Sequence, residues 1–367
     1  MSKAWILCCA VVGVGLLSAC DDGNNSNGEI VLQDTLLTGH MDWARSSLPF
    51  ENATQRGRFH WFTLSDPILF SELDPVAFDA GAEETEYRVL QCLYDPWAVI
   101  DSVGVVQIDP DSYGSMTTRN GVTNFLTNFA TQVEFLMLVD TLASQGALVL
   151  DMGQFSEDVI PNGFLDTEDF NYDGMLTTFE DVGLDQMSGR DLDWPIPVEV
   201  ANWTGTEEQM IVQLGDIYDF EDVDGDFSRG VNDPWSFDDY LRAPDDGGWS
   251  IRDTNPHGTE GNSRDSDQII PDTEDLNGNN TVDLDEGYYR YTMPLNPIAL
   301  PAGSQYTWAI TAIPNSPWYR VRVNLLDSHR EVHGIPDSFR PVRMRISLTG
   351  FSGPVALRFT GFRFTSP

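Results

Sequence analysis

Between Asp151 and Arg290 the chain carries 36 acidic residues against 6 basic ones, a local balance of −30. Such a segment repels itself, so apolar burial alone does not hold it compact, and bound cations would relieve the repulsion. Within it one phrase occurs twice. The first copy is Asp166-Thr167-Glu168-Asp169-Phe170-Asn171-Tyr172-Asp173-Gly174-Met175-Leu176. The second is Asp272-Thr273-Glu274-Asp275-Leu276-Asn277-Gly278-Asn279-Asn280-Thr281-Val282. A calcium ion takes about six to eight oxygen ligands, which an EF-hand-like loop supplies from positions 1, 3, 5, 7, 9 and 12.

In the first copy these positions are Asp169, Asn171, Asp173, the Met175 carbonyl, Thr177 and Glu180. Gly174 falls at the sharp turn and Leu176 at the residue that anchors such a loop to a core, so the calcium pattern is complete. In the second copy they are Asp275, Asn277, Asn279, the Thr281 carbonyl, Asp283 and Glu286. Asn280 replaces the glycine, which asparagine tolerates because it enters the left-handed region more readily than most residues. A further cluster, Asp222, Asp224 and Asp226, has the first three ligands without a good continuation. The plain alternative for all three is a solvated acidic turn. No flanking helices are evident, so calcium is expected as a staple in an irregular insert, not as a switch that opens helices.

The N-terminus bears on compartment. Met1-Ser2-Lys3 precedes an apolar run from Ala4 to Leu17, then Leu17-Ser18-Ala19-Cys20. The run is short for a permanent span and has the basic start, apolar middle and small-residue end of an export signal. Cys20 after Leu-Ser-Ala resembles the lipid-bearing cysteine of a bacterial lipoprotein, which predicts a signal over 1–19, a lipidated Cys20 with a polar tether over 20–35, and membrane anchoring through the lipid. The folded module is then 36–367. Cys8 and Cys9 leave with the signal and Cys20 carries lipid, so Cys92 alone remains and an intrachain disulfide is not expected. Calcium would take over the stapling that disulfides often provide in exported proteins.

Over the whole chain 58 Asp and Glu stand against 20 Lys and Arg, with Lys3 the sole lysine. That argues against nucleic acid, whose phosphates need a basic face, and against lying flat on anionic lipid. From Trp318 to Arg363 the sign reverses to eight arginines and three acids. The acidic insert is therefore expected to pack on an arginine-bearing face near the C-terminus.

Strand patterns dominate elsewhere. Arg58 to Leu64 and Tyr87 to Tyr94 are aromatic and β-branched between turn residues. Gln132 to Val139 begins alternating and then turns wholly apolar. Ala147 to Met152 follows Ser144-Gln145-Gly146, which predicts a hairpin. Near the C-terminus Tyr319, Val321 and Val323 alternate with arginines, as do Val342, Met344, Ile346 and Leu348. Val355, Leu357 and Phe359 repeat the pattern, and Phe362 and Phe364 continue it. These read as antiparallel strands with the apolar face inward and arginines to water. Asn120 to Phe129 could form one short helix. The expected fold is mainly β, an antiparallel, jelly-roll-like sandwich interrupted by the acidic insert at about 154–286.

Several phrases together resemble the SprA family, outer-membrane proteins of gliding motility and type IX secretion. They are Arg58-Phe59-His60-Trp61-Phe62 with Asp66-Pro67, and Leu150-Asp151-Met152-Gly153-Gln154-Phe155-Ser156-Glu157-Asp158-Val159. Next come Glu180-Asp181-Val182-Gly183-Leu184-Asp185, His257-Gly258-Thr259-Glu260-Gly261-Asn262 and Pro271 to Asn277. The last are Leu348-Thr349-Gly350-Phe351 and Pro354-Val355-Ala356-Leu357-Arg358-Phe359. Their order also resembles that of the family's repeated module, from about residue 56 onward. Gln186 stands where a glycine is expected. The resemblance implies a single copy of that module in an envelope setting, at the outer membrane or cell surface. It does not carry over a translocation pore.

Three functional classes follow. The first is a non-enzymatic envelope lipoprotein, a calcium-stabilised accessory or binding component of a surface, secretion or gliding assembly, with a protein or polysaccharide partner. The second is a carbohydrate-binding module using Trp43, Trp61, Trp97, Trp203, Trp235, Trp249, Trp308 or Trp318 as stacking platforms, although such residues are more often core. The third is a metal-dependent hydrolase. On a strand, His329, Glu331 and His333 share one face, as two histidines and a carboxylate would at a metal. A polar hairpin tip explains the same residues.

Overall fold

The apolar alternation in the sequence becomes strand after strand. The computed structural model describes residues 31–33, 35–38, 42–49, 56–64, 67–96, 98–100, 106–109, 111–122, 130–167, 169, 171–174, 263–265, 268–271, 273–297, 303–304, 307–337 and 342–365. Cys20 and the tether up to residue 30, most of the expected helix at 120–129, Met175, Thr177, Glu180 and the Asp222 cluster lie outside them.

In chain order the strands are β1 (Val31–Gln33), β2 (Trp43–Arg45), β3 (Arg58–Thr63), β4 (Ile68–Leu69), β5 (Glu86–Tyr87), β6 (Leu90–Asp95) and β7 (Ala98–Ile100). There follow β8 (Val106–Ile108), β9 (Tyr113–Thr118), β10 (Gln132–Leu142), β11 (Gly146–Gln154), β12 (Ser263–Asp265), β13 (Gln268–Ile270) and β14 (Gly287–Leu295). The last are β15 (Gly303–Ser304), β16 (Trp308–Ala312), β17 (Tyr319–Asn324), β18 (Glu331–Gly334), β19 (Arg343–Thr349) and β20 (Val355–Thr365). Two short helices, α1 (Phe70–Leu73) and α2 (Pro75–Asp79), follow β4. Among the described residues no helix is long and apolar enough to cross a membrane.

The larger sheet runs β15-β16-β17-β10-β20-β6-β3, with β1 also on β20. The smaller runs β18-β14-β11-β19-β9-β2, and β4–β5, β7–β8 and β12–β13 form separate ribbons. All named strand pairs are antiparallel. Both sheets feed one apolar core. Phe135, Met137, Val321, Leu357, Phe359 and Phe362 come from the larger, and Leu148, Leu150, Met293, Met344, Ile346 and Leu348 from the smaller. Trp43 of β2 meets Phe362 of β20 across the gap, ring centroids 6.3 Å apart. Each such side chain fully buried contributes about 1.5–3 kcal/mol, so the shared core binds the two layers.

Three expectations are corrected. Ser144-Gln145-Gly146 does not close a hairpin, because β10 pairs with β17 and β20 while β11 pairs with β14 and β19. The chain crosses there from one sheet to the other. Gly146 permits the crossing, since a Cβ on it would lie 2.5 Å from the Phe351 ring. Second, the arginines of β19 do not face water. Arg345 is fully buried, its guanidinium between the Phe155 ring at 4.2 Å and the Tyr288 ring at 4.6 Å. The chain leaving β11 and the residues around Pro49 cover that face, and the Pro49 carbonyl accepts from Arg290. Third, Trp43, Trp61, Trp308 and Trp318 are all buried, which removes them as sugar platforms.

Candidate functional site

The acidic phrases of the insert fold into Asx-type turns, in which a short carboxylate accepts from the backbone ahead of it. In the first copy Asp169 accepts from the amides of Asp173 at 3.0 Å and Gly174 at 2.8 Å. Asn171 Oδ1 accepts from Asp173 at 2.8 Å. In the second copy Asp275 accepts from Gly278 at 2.8 Å, Asn279 at 3.1 Å and Asn280 at 2.6 Å. The two backbones agree. Loop position 4 is left-handed in both, with φ of 59° at Tyr172 and 71° at Gly278. Position 6 is left-handed in both as well, at 75° for Gly174 and 59° for Asn280. Asn280 thus takes the glycine's conformation.

A third turn of this kind begins at Asp158. Its carboxylate accepts from the amides of Asn162 and Gly163, each at 3.1 Å. Gly163 stands at position 6 with φ of 76°. The signal in the sequence is a tripeptide. Ser156-Glu157-Asp158, Thr167-Glu168-Asp169 and Thr273-Glu274-Asp275 each place a hydroxyl two residues before the leading aspartate. In every case that hydroxyl accepts from the aspartate's own amide, at 3.1, 3.2 and 3.2 Å. Pattern reading misses the Asp158 turn because Ile160 occupies position 3, where a ligand side chain belongs.

The second loop is described from Asp275 to Glu286. Asp283 Oδ2 accepts from the Asn277 side-chain amide at 2.6 Å and from that of Asn279 at 3.3 Å. Glu157, only 1% exposed, accepts from Asn277 at 3.2 Å, from Arg343 at 3.3 Å and from the Asp283 amide at 3.3 Å. Burial pushes the Glu157 carboxyl above its usual range, against the Asp283 amide and Arg343. Glu286 lies with one oxygen 3.7 Å from Arg345 Nη1. At β19 Arg343 thus meets Glu157 and Arg345 meets Glu286, while residues 175–262 of the acidic insert lie outside the described residues.

As a donor set, Asp275, Asp283, Asn277, Asn279 and Glu157 present carboxylate and amide oxygens, the chemistry of a hard cation such as calcium. Asp283 and Glu157 share the Asn277 amide as a donor between them. Among the described residues no three His, Cys, Asp or Glu side chains gather closely enough to hold a metal by themselves. Asparagine and carbonyl oxygens would have to complete any such site.

Of the His329 cluster, Glu331 and His333 lie in β18 and His329 comes before it. His329 is bonded to Asp327 at 2.8 Å. His333 stacks on Tyr288, centroids 4.7 Å apart, with its ring nitrogen 3.6 Å from Glu331.

Residues 250–366 match the family SprA_N, described as a motility related/secretion protein. This resemblance to an SprA module takes in β12 to β20 and the whole Asp275 loop. No curated protein matches the chain.

Proposed function

We propose that the chain is a non-enzymatic lipoprotein of the bacterial cell envelope, a two-sheet module stapled by calcium, that serves a motility or secretion assembly as an accessory or binding component. The observation that carries this reading is the SprA_N match, which falls on the sheets and the Asp275 loop together. The EF-hand-like calcium ligands would be Asp275, Asn277, Asn279, the Thr281 carbonyl, Asp283 and Glu286, and in the first copy Asp169, Asn171, Asp173, the Met175 carbonyl, Thr177 and Glu180. Calcium would supply countercharge and a fixed coordination shell. The chain's own residues fix the turns beforehand by amide bonds to Asp169 and Asp275. Cys20 would carry the lipid that holds the module at the outer membrane or cell surface.

Two measurements test it. Thermal melting in calcium chloride against chelator should show stabilisation by calcium of about 2.7 kcal/mol per site once calcium exceeds its Kd about a hundredfold. An unchanged melting temperature removes the staple. In the source bacterium, Cys20→Ala should abolish incorporation of labelled fatty acid and, with deletion of the chain, impair surface spreading or secretion. Wild-type spreading and secretion in the deletion strain would end the assembly reading.

A further inference from the structure

Glu157 and Glu274 occupy the same place in their phrases, one residue before the leading aspartate, and both are 1% exposed. Each reaches across to the other's turn. The Glu274 amide donates to the Asp166 carbonyl at 3.1 Å, and the Glu274 carboxylate accepts from the Asp166 amide at 3.0 Å. Asp166 is position 9 of the turn that begins at Asp158. In mirror fashion the Glu157 amide donates to the Asp283 carbonyl at 2.7 Å, and the Glu157 carboxylate accepts from the Asp283 amide at 3.3 Å. Asp283 is position 9 of the loop that begins at Asp275. Glu274 also accepts from Val159 at 2.7 Å and Ile160 at 2.8 Å, inside the Asp158 turn. Thr167 and Thr273 join the two segments by an antiparallel bridge. Within each turn a side-chain amide also reaches the position-9 carboxylate, Asn162 Nδ2 donating to Asp166 at 2.7 Å and Asn277 Nδ2 to Asp283 at 2.6 Å.

We infer that the Asp158 turn and the Asp275 loop are a reciprocal pair, with Glu157 and Glu274 as positioning residues that couple cation binding at the loop to order in the turn. The inference rests on the calcium reading above. Its physical basis is that each glutamate fixes the position-9 backbone of the other turn. Ordering one turn therefore lowers the conformational entropy the other must lose when it closes on a cation.

The test is calorimetric titration of the full chain with calcium chloride, comparing wild type with Asp158→Asn and Glu274→Gln. Asp158 is not a ligand of the Asp275 loop, and its replacement leaves every side chain of that loop in place. The expected result is nonetheless a loss of affinity at the loop, within the range of about 5- to 150-fold that linked sites show. Glu274→Gln should give a loss in the same direction, with hydrogen exchange at the Asp166 amide speeded in both calcium and chelator. Asp158→Asn supplies the comparison alone if Glu274→Gln fails to fold. Calcium binding unchanged by either substitution would overturn the coupling while sparing the calcium reading. No calcium uptake by the wild type would overturn both.

Discussion

Single charged residues in this fold differ most in what would be left behind on their removal. Asp151 is fully buried and holds two buried arginines, with Arg290 Nε at 2.8 Å and Arg345 Nε at 2.9 Å. Asp151→Ala strands both guanidinium groups away from water, and losing one partner of a buried pair costs about 3–5 kcal/mol. Urea unfolding should show a loss of that size, with Asp151→Asn milder because it retains an acceptor. Glu134 is the contrasting case. Arg322 and Arg363 bond its carboxylate and Arg320 lies 3.6 Å away, but these arginines are 31–55% exposed on the larger sheet. Burial works to raise the Glu134 carboxyl, and the arginines prevail and hold it below its ordinary value of 4.5. A group so depressed stabilises the fold above its unfolded value and loses that contribution as pH falls through the folded one. Melting temperature should therefore drop as pH is taken from about 5 to about 3, and Glu134→Gln should flatten that limb. An equally steep limb in the variant would remove Glu134 from the account.

Among the elements, β9 shows why the sheets sit so close. Gly114 faces the core, and a Cβ there would lie 2.6 Å from the Tyr94 ring and 2.7 Å from the Phe59 ring. Both rings come from the opposite sheet and pack edge to face, centroids 6.3 Å apart. Gly114→Ala should cost about 1–3 kcal/mol by overpacking, read as a shift in the urea midpoint without a change in slope. A midpoint equal to wild type would show that the two rings yield freely. The strands themselves were legible. Val321 and Val323, Met344 to Leu348 and Leu357 to Phe364 alternate in sequence and face the core in β17, β19 and β20. Period-2 patterning identifies which face is apolar, but not which sheet a strand joins. Both β10 and β11 carry apolar runs suited to either layer, so the sequence predicts a hairpin where the chain crosses at Gly146. Patterning is equally silent on what covers the outer face, so alternation alone predicts Arg345 in water. The sharp turns after Asp169 and Asp275 are legible because Asp, Asn and Gly or Asn repeat there at fixed spacing. The Asp158 turn is not, since it keeps its capping hydroxyl and Asn-Gly pair but has Ile160 where the repeats have asparagine.

At the scale of the whole molecule the governing quantity is a formal net charge of −38 on 367 residues. Like charge at that density opposes the compact state through repulsion spread over the surface. Two agents relieve it differently. A monovalent salt shortens the screening length from about 30 Å at 0.01 M to about 10 Å at 0.1 M and weakens all exposed repulsions together. Calcium held in the turns would instead neutralise the acidic phrases where they lie and tie them to β19 through Glu157–Arg343. In chelator, sodium chloride should therefore raise the melting temperature steeply over the first tenth molar and then level off. With calcium bound the same titration should be much shallower, because part of the repulsion is already gone. Sodium chloride would also weaken surface pairs such as Arg358–Asp140, but exposed pairs contribute about 0–1 kcal/mol each, too little to reverse the trend. Magnesium separates site from screening. It carries the same charge but demands tighter octahedral geometry and gives up its water reluctantly, so at equal concentration it should stabilise less than calcium. Equal stabilisation by the two ions would mean that bulk charge, and not the geometry of the turns, sets the stability of the fold.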